Sequence, residues 1–340
     1  MDENLTEREK NILETFFREF IISGHPVSSR QISRSGRLNL SSATVRNVMS
    51  DLEEMGLVTR PHKSAGNVPT RKGMRYYLDR LVRVTPLTLY EIRRIENEVR
   101  AGFDHATIMK EACRLLSDLS RYAGLVVPPK IDMMIFHRLE IFKIQDGKAV
   151  AILISSSGDV YRTIFDLDEN TTQDELDRRS EYLNRNMAGL NFREVRAKVE
   201  EEIKKESIIY YRMMMRLLFM DDSFLMKQDE IYIGGEARVL IRASDSDFEA
   251  ARGIMAALEE KKKLVSLLDG IKGGKGTTII FGDETEYDEM KECSIIASQF
   301  GRNDQNLGML GVMGPKRMDF PRLIPLVDYT AMYISRALSR

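Results

Sequence analysis

The sequence predicts an α+β chain of several domains, on three observations. At 340 residues it is long for a single core, since domains run to roughly 100–200 residues. Its opening segments repeat apolar residues at helical spacing, whereas 135–165 and 277–313 hold short apolar runs separated by turn residues. Its charge is segregated, with 14 Lys/Arg against 10 Asp/Glu in residues 1–85 and 37 against 42 in the remaining 255.

Composition excludes several classes. No run reaches the roughly 18 uncharged apolar residues of a membrane span, so a soluble chain with no membrane partner is expected. The start, MDENLTEREK, is charged on both signs and lacks the basic start and apolar stretch of an export signal, which makes the cytoplasm the expected location. Cys113 and Cys293 are too few for a disulfide framework, and with His25, His62, His105 and His137 they show no zinc-ligand spacing. No metal or cofactor is expected.

Taken in order, Thr6 with Glu9 forms a capping box ahead of Ile12, Leu13, Phe16, Phe17, Phe20 and Ile21, which share one helical face. Gly24-His25-Pro26 breaks that helix, and Ser28 with Gln31 repeats the capping pattern over a short second one carrying Ile32. Leu38-Asn39-Leu40 then leads to Ser41, the N-cap of a third helix that buries Val45, Val48, Leu52 and Met55 and stops at Gly56.

The opposite side of that third helix holds Ala43, Arg46, Asn47 and Ser50, with no Glu or Lys through its first two turns. In a helix-turn-helix the second helix enters the major groove N-terminus first, and Ser41, Ser42, Ala43 and Thr44 are small enough to let the backbone approach base edges. Arg46 matches guanine O6/N7, Asn47 matches adenine N6/N7, and the methyls of Ala43 and Thr44 match a thymine methyl. Residues 30–75 carry nine Lys/Arg against three Asp/Glu, a candidate phosphate-facing surface. A small helical subdomain with a solvated basic face also fits the three helices alone.

The segment after Gly56 favours the nucleic-acid reading. Residues 57–60 read as a strand, 61–67 as an exposed turn and 68–70 as the return, which makes a wing and so a winged helix-turn-helix domain over 1–86. Phosphate contacts are expected from Ser28, Ser29 and Arg30 of the second helix and from Arg60, His62, Lys63, Ser64, Arg71 and Lys72 of the wing and its exit.

Beyond a linker near Thr85-Pro86, two helical patterns run to Gly124 and Pro128-Pro129. Strands are expected at 135–144, 149–154 and 160–165, joined by Asp146-Gly147 and Ser157-Gly158, before a helix capped by Thr172 and Glu175. Three more strands at 277–281, 293–300 and 307–313 and a helix over 323–338 complete what resembles a GAF-like domain split in two, over 87–189 and 276–340. Residues 190–275 between the halves read as an insertion. It holds a long helix from Glu194 to Lys205, a Met-rich stripe from Met213 to Met220, read as core, a Gly234-Gly235 turn and a helix capped by Ser246.

Catalysis finds no foothold. Cys113 lies among apolar helical neighbours and Cys293 opens a strand, so both read as packing and not as nucleophiles. The run 270–277, GIKGGKGT, lacks the spacing of a phosphate loop and precedes a strand, so it reads as a linker.

Three stretches carry a family resemblance: GHPVSSRQIS, LSSATVRNVMSDLEEMGLV and RPHKSAGNVPTRKGMRYYLD. With IYIGGEARVL at 231–240 and LGMLGVMGPKRMDFPRLIPLVDYTA at 307–331, they resemble the HrcA family of heat-inducible transcription repressors. The resemblance implies a homodimer bound to an inverted-repeat double-stranded operator, called CIRCE, upstream of chaperone genes, with activity dependent on the GroEL chaperonin. It implies that the insertion is an α+β dimerisation domain, and places the recognition helix at 41–55 and the wing at 60–70. Ser29, Val48, Lys63 and Asn67 depart from the family's usual residues, and Asn67 stands at the expected wing tip where Arg is common. A small-molecule receptor, in which the GAF-like body binds a metabolite, is the competing expectation, and the resemblance speaks against it.

Overall fold

The N-terminal segment folds where its capping signals lie. In the computed structural model, whose described residues are 5–35, 38–62, 65–99, 105–128, 135–144, 147–156, 158, 160–167, 170–203, 231–236, 248–271, 276–302 and 305–338, the Thr6 N–H donates to the Glu9 carboxylate at 2.6 Å. The Glu9 N–H returns the bond to Thr6 Oγ1 at 3.3 Å. Helix α1 (Glu7–Ser23) starts there and ends at Gly24 in the left-handed region, φ +69°. The same reciprocal pair between Ser28 and Gln31 opens α2 (Ser29–Arg34), and Ser41 caps α3 (Ser42–Glu54).

Two short strands, β1 (Val58–Thr59) and β2 (Val68–Pro69), pair antiparallel, and α4 (Arg71–Tyr76) runs directly into one turn of π-helix over Tyr77–Leu81. This is a winged-helix head. Ile12, Leu13, Phe16, Phe17, Ile32, Val45, Met49 and Leu52 are fully buried in it, each contributing roughly 1.5–3 kcal/mol. Phe17 stacks on Tyr77 with ring centroids 4.4 Å apart, so the π turn belongs to this core. Met49 takes the core place expected of Met55, which is only half-buried; the apolar stripe is wide enough to include the neighbour of Val48.

The body contains, in chain order, α5 (Leu89–Glu98), α6 (His105–Ser120), β3 (Ala123–Val127), β4 (Phe136–Ile144), β5 (Lys148–Ser155), β6 (Val160–Asp166), α7 (Gln173–Met187) and α8 (Phe192–Ile203). It continues with β7 (Tyr232–Gly234), α9 (Phe248–Glu259), α10 (Lys261–Asp269), β8 (Thr277–Phe281), β9 (Cys293–Arg302), β10 (Gln305–Pro315) and α11 (Phe320–Ala337). Five of the strands form one antiparallel sheet in the order β7-β3-β10-β9-β8. Alternation along its strands serves two cores. Val126, Ile296, Phe300, Leu310 and Val312 face α5, α6 and α11, while Leu125, Ile295, Ala297, Met309 and Met313 face α9 and α10. The first of these cores is continuous with that of the head.

The GAF-like sheet therefore differs in membership from the sequence expectation. Strands β4, β5 and β6 do not join it. They form a separate three-stranded sheet, order β4-β5-β6, with its own core of Phe136, Leu139, Ile141, Phe165, Leu176 and Leu183 under α7. The insertion thus begins before residue 136 and includes 136–203, whereas β7, α9 and α10, expected within an insertion over 190–275, belong to the five-stranded layer. Strand membership is set by pairing across more than a hundred residues, which local alternation does not encode. An interior strand the sequence reading lacks is β3, between β7 and β10, whose five buried residues read in sequence as the end of a helical pattern. The Met-rich stripe, Ser246 and 272–275 lie outside the described residues.

Candidate nucleic-acid interface

The turn between α2 and α3 is braced from both sides. Ser33 Oγ donates to the Leu40 carbonyl at 2.7 Å, and Asn39 adopts φ +43°, a region its short polar side chain tolerates. Ser41 Oγ accepts from the Thr44 N–H at 3.1 Å and lies 3.0 Å from Thr44 Oγ1. No acidic side chain occupies the first turn of α3, so the positive end of its dipole faces outward uncompensated.

From that start α3 divides into two faces. Val45, Val48, Met49 and Leu52 are sealed in the core. Ser41, Ser42, Ala43, Arg46 and Asn47 are exposed, with Thr44 and Ser50 half-buried at the margin. The side chains of Arg46 and Asn47 make no hydrogen bond or ion pair with any described residue. The Arg46 donors and the Asn47 donor and acceptor are thus available to an outside partner.

The flanking positions divide into free and engaged. Ser28 is occupied by its capping box, Ser29 is half-buried, and Arg30 is exposed with no partner among the described residues. Arg60 lies 2.9 Å from the Glu53 carboxylate and donates from Nε to Asn67 Oδ1 at 3.4 Å. His62 is exposed in the wing loop, and Lys63 and Ser64 lie outside the described residues. Lys72 donates to the Met55 carbonyl at 2.8 Å, and Arg71 turns away from the wing to the carbonyl and carboxylate of Asp283.

Asn67 is not at the wing tip. It exchanges backbone hydrogen bonds of 2.8 and 2.9 Å with Val27, pinning the return strand to the loop before α2, and its side chain is buried under Arg60. Gly66 makes that approach possible, because a Cβ there would stand 2.6 Å from the Val27 carbonyl carbon.

Comparison with known proteins decides what this head belongs to. Residues 4–79 match the family model described as the winged helix-turn-helix transcription repressor, HrcA DNA-binding, and 106–324 match the HrcA protein C terminal domain. The heat-inducible transcription repressor HrcA of Geobacter sulfurreducens is 38% identical over 337 residues, covering 98% of both chains. That of Syntrophobacter fumaroxidans is 35% identical over 340 residues, again covering 98% of each. The chain belongs to the HrcA family. A crystal structure of a hypothetical protein at 2.2 Å resolution shares the fold of this HrcA-family chain, with a TM-score of 0.64, 21% identity and 99% of each chain covered.

HrcA proteins are transcription repressors, not enzymes, and the head of this one is a DNA-binding winged helix. Among the described residues no cluster of His, Cys, Asp and Glu is placed to hold a metal, and no helix is long and apolar enough to cross a membrane. Cys113 and Cys293 are buried, and burial pushes both thiols up to about 12. Arg75, counted by charge with the phosphate-facing surface of 30–75, is turned to the body instead. Its guanidinium grips Glu284 of the body through two hydrogen bonds and lies 4.9 Å from the Phe281 ring, a role with no local signal because the partner is 209 residues away.

Proposed function

We propose that this chain is a heat-inducible repressor of the cytoplasm that binds, as a homodimer, a CIRCE-type inverted-repeat operator of chaperone genes. The outward face of α3 carries this reading: two unpaired side chains able to bind a base edge bidentately, Arg46 as a double donor and Asn47 as donor and acceptor, stand among small side chains on a helix whose other face is fully sealed. In the major groove Arg46 reads guanine and Asn47 adenine, Ala43 and Thr44 meet thymine methyls, and Ser41, Ser42 and Ser50 keep the approach close. Ser28, Ser29, Arg30, His62, Lys63 and Ser64 position the head on phosphates. Arg60, Arg71 and Lys72 join them only after leaving Glu53, Asp283 and the Met55 carbonyl respectively.

An inverted repeat calls for a two-fold protein. The outer face of the β4-β5-β6 sheet supports one, since Phe142, Val150 and Ile164 stand in one cross-strand row with Ile152, Ile154 and Val160 beside it. Dependence on GroEL rests on the family resemblance, and the body, once it loses packing on warming, offers apolar surface for a chaperonin to capture. The test is binding to an inverted-repeat duplex and to a scrambled one across a salt series, with and without GroEL. The expected result is preference for the repeat, a steep loss with salt and recovery of heated protein by GroEL. Equal affinity for the two duplexes would overturn the operator, and recovery without chaperonin would overturn the dependence.

A further inference from the structure

Head and body enclose between them a cleft of about 880 Å³ that the repressor reading leaves unused. Its charged lining consists of Arg18, Arg83, Arg121, Arg317 and Arg322 against only Glu14 and Asp319. Three of the arginines are occupied, Arg18 at 3.5 Å from Glu14, Arg322 at 3.1 Å from Glu91, and Arg317, which has a partner of its own. Arg83 and Arg121 are exposed, and neither side chain makes a hydrogen bond or ion pair with any described residue. Like charges gathered on one concavity repel; Arg83 has the Glu7 carboxylate within Coulombic range but not in contact, and Arg121 has no counter-charge in contact among the described residues.

A second observation concerns Arg121 alone. It ends α6 with its N–H on the Ser117 carbonyl at 2.8 Å and takes φ +65°, the left-handed position that glycine ordinarily fills at a helix end. A β-carbon is strained there, and stability alone would favour glycine. A side chain kept against that strain and aimed at a cationic cleft points to use.

We infer that the cleft binds a small phosphorylated metabolite, its phosphate groups held by Arg83 and Arg121. Guanidinium forks match phosphate oxygens in pairs, and a surplus of three positive charges suits a multiply charged phosphate better than a lone carboxylate. The volume lies in the range of small-molecule sites, and Ile21, Ile22 and Tyr122 supply apolar wall for the rest of the ligand. The walls come from both sides of the joint, Arg18 and Tyr77 from the head, Arg121 and Asp319 from the body. A ligand that touches both favours the arrangement in which they face each other and restricts the head. Binding itself is independent of the operator reading; only its effect on repression rests on that reading.

The test is calorimetry of the full-length protein with inorganic pyrophosphate and with ATP as probes. Saturable heat with either is expected. Arg121→Gly relieves the backbone, so it unfolds at the same or a higher temperature yet binds the probe at least about tenfold more weakly, and Arg83→Gln loses a similar factor. Arg30→Gln, outside the cleft, titrates like wild type. No saturable heat up to millimolar probe, or wild-type affinity in both cleft variants, overturns the site. Variants that weaken every DNA duplex alike while leaving the pyrophosphate heat unchanged would make the cleft a DNA-backbone surface and also overturn it. A chain that binds the probe but ignores the inverted repeat would sink the operator reading alone.

Discussion

Arg75 and Glu284 join the DNA-binding head to the body: Nε of the arginine donates to Oε1 of the carboxylate at 2.7 Å, and a second guanidinium nitrogen reaches Oε2. Beside them Arg71 meets Asp283, which also receives Lys316 at 3.3 Å. Together with the Thr85 N–H on the Pro321 carbonyl at 2.8 Å, these contacts set where α3 points relative to the body.

Removing one partner of this tie loosens the head without unfolding it. Burial pushes the Glu284 carboxyl up, but the hydrogen bond and charge of Arg75 outweigh it, so the group titrates below the ordinary carboxylate range. A lowered carboxylate stabilises the fold above its unfolded value of about 4.3, and that contribution is lost as pH falls through the folded value. Glu284→Gln at neutral pH is expected to cost about 1 kcal/mol and to speed proteolysis around residues 82–88. Wild type should show the same sensitivity only on acidification below the ordinary carboxylate range. Equal cleavage rates for both proteins at neutral pH would mean the tie does not hold the head.

Specific binding should respond to α3 differently from its flank. Arg46→Ala and Asn47→Ala are each expected to cost about 1–3 kcal/mol on the inverted repeat and to leave the circular dichroism spectrum unchanged. Arg30→Ala should weaken all duplexes alike and flatten the salt slope by about one ion. If both α3 variants bind the repeat like wild type, the recognition-helix assignment fails.

The two thiols report on opening of the body. Cys113 Sγ lies 3.1 and 3.3 Å from the carbonyls of Gly124 and Tyr232, which share its one S–H, and Cys293 faces the Ala250 carbonyl at 3.8 Å, so each is sealed between sheet and helix. Native protein at pH 8 should show no reaction with a thiol reagent, because a thiol raised to about 12 has almost no thiolate. Both should react on warming, and before helicity of the head is lost if the body is the part that gives way to heat. Reaction of either thiol in the cold would contradict its burial.

The head is legible because its signals are local. Thr6-Glu9, Ser28-Gln31 and Ser41 cap helices within three or four residues of themselves, and Val45, Val48 and Leu52 fall on one face by spacing alone. The body is legible as strands and not as sheets: β4, β5, β6, β8, β9 and β10 lie where alternation puts them, while their division into two layers rests on β3, too short and uniformly apolar to be told from a helix end. Arg71 illustrates the same limit for the interface. Read from charge it faces phosphate, whereas Asp283, distant in sequence, holds it against the body.

The outer face of the β4-β5-β6 sheet is apolar and open to water. Phe142 is 47% exposed, Val160 64% and Ile164 62%, an unusual concentration of large apolar residues in water on a sheet whose other face already has a complete core. Covering that face by its two-fold copy would explain it, and Arg138, Glu140 and Arg162 at its margins offer charges of both signs to a partner. Ile164→Asp points outward, so it should change monomer stability by no more than about 0.5 kcal/mol. A carboxylate closed into such an interface should weaken a dimer by about 2–3 kcal/mol, roughly 30- to 150-fold in the dissociation constant. Sedimentation velocity across a dilution series reads both states, and operator affinity should fall with the dimer. Dimers that persist with an unchanged constant would move the two-fold contact to another surface.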